Sequence, residues 1–138
     1  MKRNLLTPLC TLLAAMMLSA CAHSPDPTAA TSEQRQALAD LELDYSAGNY
    51  AKVAQTVGLS VELQSAPPTV RMQALKLQAF SYCLQEKAAQ CERSFERLLK
   101  QHPDFELTES ERNHPMWGPA YTRARDHAAQ SNTVASSQ

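Results

Sequence analysis

The alternation of apolar and polar positions is strongest from Val70 to Phe105, where it predicts two amphipathic helices joined by a short polar turn. In the first, Leu75, Ala79, Tyr82 and Leu84 recur at roughly helical spacing, with Lys76, Gln78 and Ser81 between them. In the second, Cys91, Phe95, Leu98 and Leu99 form a stripe, and Glu92, Arg93, Glu96 and Arg97 form the wet face. Pro103 predicts the end of that helix, because proline disfavours helical backbone at the residue before it. Upstream, Leu38, Leu41 and Tyr45 predict a helix that Thr31-Ser32 would cap and Glu33 would favour electrostatically, with Leu43 slightly off its stripe. Gly48 and Asn49 break the pattern before a helix carrying Val53, Ala54 and Val57. Leu59, Val61 and Leu63 alternate briefly, which fits either an extended stretch or a last helical turn, and the following helix is expected from about Thr69. Downstream, Thr108 and Glu111 have capping-box spacing, and a final helix is expected near Pro119 with Tyr121, Ala124 and Ala128 on one face. The fold class expected is all-α.

The central hairpin resembles the tetratricopeptide (TPR) repeat. Leu75, Gln78, Ala79 and Tyr82 fall on the spacing of that signature's first helix, and Cys91, Phe95 and Pro103 on that of its second. The small residues Ala79 and Cys91 sit where paired helices approach most closely. Tyr50, Val53 and Val57 suggest an earlier, weaker repeat, whose turn is offset by about 38 residues from the later one, against the usual 34 or so. The resemblance implies TPR-like antiparallel hairpins over residues 33–130: about two repeats plus a C-terminal capping helix, with Trp117 and Tyr121 packing back on the hairpin.

The chain opens differently. Lys2 and Arg3 precede an apolar run from Leu5 to Leu18, the layout of a secretory signal peptide over residues 1–20. Leu18-Ser19-Ala20-Cys21 resembles the lipobox of bacterial lipoproteins, which implies cleavage before Cys21 and acylation of its thiol. In that family an aspartate after the cysteine favours inner-membrane retention. Ala22 stands here instead, so the outer membrane, facing the periplasm, is expected. Multiple acyl chains would anchor the protein stably, where one chain alone gives marginal binding. Residues 21–32, rich in proline and small residues, read as a flexible tether, and residues 131–138 as a disordered tail. Loss of Lys2 and Arg3 with the leader takes the formal net charge from −1 to about −3, so no basic surface argues for nucleic acid.

Candidate chemistry narrows quickly. With Cys10 in the leader and Cys21 acylated, Cys83 and Cys91 remain in an oxidising compartment, and a disulfide would pin the hairpin. The alternative is that both are simply small buried residues. His102, His114 and His127 are scattered, with no ligand spacing for zinc, so no metal site is expected. The glycines after the leader, Gly48, Gly58 and Gly118, form no phosphate loop, and no serine sits in a nucleophile elbow. Neither an enzyme nor a cofactor is expected.

A binding module fits better. Repeat hairpins line a concave surface with their first helices. On the central hairpin Gln73, Lys76 and Phe80 are the candidate partner-binding residues, although Phe80 could equally pack between repeats. Finally, Phe80-x-Tyr82-Cys83, Ala89-Gln90-Cys91-x3-Phe95, Asp104-Phe105-x-Leu107 and Glu111-x2-His114-Pro115-x-Trp117-Gly118-Pro119 resemble the TssQ-type lipoproteins associated with type VI secretion. That resemblance, most specific from Glu111 to Pro119, implies an accessory protein-interaction role toward subunits of the secretion machine's membrane complex. Rival roles are pilus assembly, insertion of outer-membrane proteins, and contact with peptidoglycan.

Overall fold

The computed structural model describes residues 29–135, with side chains through Gln130. The leader, Cys21 and most of the tether lie outside the described residues, so the expectations placed on them are not addressed by the structure. The described residues form seven helices and no strands: an all-α fold. No helix among the described residues is long and apolar enough to cross a membrane.

Helix α1 (Ser32–Ser46) starts at a capping box. The Thr31 hydroxyl accepts from the Gln34 N–H at 3.2 Å, and the Gln34 side-chain oxygen accepts from the Thr31 N–H at 3.0 Å. Leu41 is buried, Leu38 and Tyr45 are partly buried, and Leu43 points to solvent, as the stripe predicts. The turn to α2 (Tyr50–Leu59) needs a left-handed residue, which Gly48 supplies at φ 79°. Val53, Ala54 and Val57 are the buried face of α2.

The ambiguous stretch after α2 is helical. Ser60, extended at ψ 119°, ends α2 and caps the single turn α3 (Val61–Gln64) by accepting from the Leu63 N–H. That break resets the helical phase, so Leu63 is buried while Leu59 and Val61 are exposed.

Helix α4 (Pro68–Leu84) begins one residue earlier than expected, because proline in the first turn sacrifices no helical hydrogen bond. It is buried nearly all round, since α1, α2, α3 and α5 (Ala88–Gln101) all pack against it. Gln78 and Ser81, polar positions between the apolar ones, are therefore buried as well. The Gln78 amide donates to the Ala54 carbonyl of α2 at 2.7 Å and accepts from Arg97 of α5. That pairing offsets the cost of removing an amide from water.

The buried face of α5 is Cys91, Phe95, Leu98 and Leu99, as predicted, joined by Ser94. The helix ends at Gln101, two residues before Pro103. Cys83 and Cys91 form a disulfide across the α4–α5 turn, with Cα atoms 5.0 Å apart. For so short a loop the chain-entropy model assigns about 2–3 kcal/mol.

The single turn α6 (Glu109–Arg112) carries the anticipated capping box, with Thr108 and Glu111 satisfying one another's backbone. Helix α7 (Gly118–Ala135) packs on α5 through the buried Ala120, Tyr121 and Ala124. It continues through residues 131–135, where the sequence suggests fraying.

The α6–α7 corner leaves no room for a side chain at Gly118. A Cβ there would lie 2.2 Å from the Arg112 carbonyl oxygen, whereas one at Gly58, inside α2, meets nothing within 4 Å. Gly118→Ala should therefore destabilise by about 1–3 kcal/mol. Gly58→Ala should stabilise by about 0.5–1 kcal/mol, by removing the entropic penalty of a helical glycine. Opposite shifts of the urea midpoint would be the readout.

Candidate interaction site

The three residues the sequence nominates for partner binding sit on α4, and two of them, Lys76 and Phe80, meet the segment that joins α5 to α7. Gln73 is partly buried. The Lys76 ammonium is 2.7 Å from Glu111 Oε1, with side-chain exposures of 18% and 21%, and lies 5.7 Å from the centre of the Phe80 ring. Phe80 itself is buried, with 4% of its surface exposed. It stacks on Trp117 at 4.2 Å between ring centres and meets Phe95 edge-on at 6.1 Å. The expectation that Phe80 lines an open groove is thus corrected. The connecting segment lies over this part of α4, and Phe80 packs against Phe95 of its own hairpin and beneath Trp117 rather than between repeats.

Glu111, His114 and the Tyr121 hydroxyl hold the covering segment in place. Glu111 divides its carboxylate: Oε1 takes Lys76, while Oε2 accepts from the Thr108 N–H at 2.9 Å. Burial pushes its pKa up, but Lys76 and the Thr108 donors outweigh this and hold it below the usual carboxylate value. His114 stacks flat on Trp117 at 3.5 Å, and its Nδ1 accepts from the Met116 N–H. The Tyr121 hydroxyl donates to the Phe105 carbonyl at 3.1 Å, closing the start of the segment onto α7. Through Phe95 and Tyr121, 5.4 Å apart, the rings run on from Trp117 and Phe80 to Phe105.

Two further features have no counterpart in the sequence reading. Tyr45 and Tyr50 meet edge-on at 5.4 Å at the α1–α2 turn. Burial, with smaller contributions from Tyr50 and the Glu111 charge, pushes the Tyr45 pKa up to about 12, so its hydroxyl stays protonated at neutral pH. Along the α5–α7 seam, Arg123 Nε donates to Glu92 Oε2 at 2.7 Å, and His127 Nδ1 lies 2.8 Å from Glu96 Oε1 and 3.8 Å from Glu92 Oε1. The Glu96 hydrogen bond is the main reason that the His127 pKa is raised. The i, i+4 spacing of Glu92 and Glu96 was visible; a histidine 31 residues beyond Glu96 was not.

No protein-family model, curated protein or solved structure matches the chain.

Two outcomes test the α4 contact. Trp117→Ala should cost about 3 kcal/mol, toward the low end for a large aromatic because this indole remains partly exposed. Separately, the lowered Glu111 pKa means that its stabilising contribution is present above the ordinary value of 4.5 and is lost as pH falls through the folded value. Glu111→Gln should therefore unfold at lower urea than the parent at pH 7, with the gap closing as pH falls below about 4.5.

Proposed function

We propose that this chain is a non-enzymatic, lipid-anchored protein-interaction adaptor, built of TPR-like hairpins and held at the outer membrane facing the periplasm. In this reading Cys21 carries the anchor, and the partners are membrane-complex subunits of a type VI secretion system, to which the protein is an accessory. The observation that carries the reading is the behaviour of the segment from Glu111 to Pro119, the most specific part of the resemblance to the TssQ-type lipoproteins. Within it Glu111 pairs with Lys76, His114 and Trp117 stack toward Phe80, and Gly118 fits against the Arg112 carbonyl. That these separated residues hold one junction together supports reading the motif as a single unit.

Packing supports the repeat-like part of the reading. Ala79 and Cys91, the small residues of the repeat signature, are at most 1% exposed. The polar side chains over α4 are spent on one another: Lys76 on Glu111, and Glu111 on the Thr108 backbone.

Affinity capture of the full chain from detergent-solubilised membranes, with mass spectrometry of the co-purifying proteins, tests the proposal. Type VI membrane-complex subunits should be recovered, and Cys21→Ser should abolish their recovery along with membrane attachment. Capture of pilus or barrel-assembly components instead, or retention of the same subunits by an unanchored Cys21→Ser protein, would overturn it.

A further inference from the structure

We propose that Glu92, Glu96 and His127 form a binding site for a divalent transition-metal ion, with zinc the ion whose ligand chemistry fits best. The site lies on the α5–α7 seam, away from the α4 contact, and does not depend on the function proposed above.

One ligand atom from each of the three residues lies within 4.8 Å of the other two. His127 Nδ1 is 2.8 Å from Glu96 Oε1 and 3.8 Å from Glu92 Oε1. Donors around a tetrahedral zinc, each about 2.0–2.1 Å from the ion, stand roughly 3.3 Å apart. The observed separations straddle that value, so small side-chain rotations would open the His127–Glu96 pair and admit an ion.

The supporting geometry is equally specific. Glu92 and Glu96 are one turn apart on α5, a helix anchored by the buried Cys91, Phe95 and Leu98. His127 comes from α7, which is fixed on α5 by the buried Tyr121 and Ala124. Arg123 does not have to leave, because it holds Glu92 through Oε2 while Oε1 is the oxygen nearer His127. It would then act as an outer partner that orients a ligating carboxylate, as is common around metal sites.

Donor chemistry selects the ion class. One imidazole nitrogen with two carboxylates suits zinc and its neighbours in the first transition row, whereas calcium and magnesium prefer oxygen donors alone. Three protein ligands leave one tetrahedral position for water or for a donor from another molecule. An ion here would cross-link the C-terminal helix to the central hairpin.

Calorimetric titration of the full chain, carrying no histidine tag, with zinc chloride at pH 7.5 is the test. One zinc per chain is expected. Glu96→Gln and His127→Ala should each weaken binding at least about tenfold while keeping the parent's helical circular dichroism, and His102→Ala and His114→Ala should leave it unchanged. Zinc should also slow amide hydrogen exchange along α7 in the parent but not in His127→Ala. No heat of binding, or binding and α7 protection that persist in His127→Ala, would overturn the site.

Discussion

The stack of Trp117 on Phe80 is the contact on which the C-terminal third of the molecule depends. A single helical turn such as α6 has no stability of its own, since nucleating a helix costs more than one turn returns. Its residues are ordered because two large rings close over α4 and exclude water, each ring pair contributing roughly 0.5–1.5 kcal/mol beyond its buried area. That exclusion in turn makes the Lys76–Glu111 pair worth more than an exposed ion pair, because both charges are largely shielded from solvent. The same carboxylate caps α6. Ring stacking, ion pairing and helix capping therefore stand or fall together.

Helix α4 is the other side of that contact. Most small helical domains leave each helix one wet face, but α4 is enclosed by the first hairpin, by α5 and by the covering segment. A buried amide in such a helix is tolerable only where it is satisfied. Gln78 meets that condition, bridging the α2 backbone and Arg97 and so fixing how the first hairpin sits against the second. The Cys83–Cys91 bond closes the turn between α4 and α5 covalently. The centre of the molecule is thus held by a polar bridge on one side, a disulfide at the turn and an aromatic stack on the remaining face.

The C-terminal part covers faces of α4 and α5 that the first hairpin leaves open. Here α7 covers α5, while the segment before it covers α4. One stretch of chain therefore finishes two faces, and Gly118 marks the point where it passes from one to the other, too close to the Arg112 carbonyl for any side chain.

Local chemistry alone determined most of the helices and several of their ends. The caps at Thr31 and Thr108, the left-handed Gly48, the stop before Pro103 and the stripes of α2, α5 and α7 follow from interactions within a few residues, which spacing records directly. The all-α class followed from the same signals, and the pairing of Cys83 with Cys91 was the favoured of two readings. Spacing failed where burial is set by distant neighbours. Gln78 and Ser81 lie between the apolar positions of α4, and Phe80 fitted either an open groove or packing between repeats, yet all three are buried, Gln78 against α2 and Phe80 beneath Trp117. The meeting of Glu92, Glu96, Arg123 and His127 was equally hidden, because only the docking of α7 on α5 brings residues so far apart in the chain within hydrogen-bonding distance. Periodicity tells a residue which way it faces on its own helix; only the tertiary structure decides what it faces.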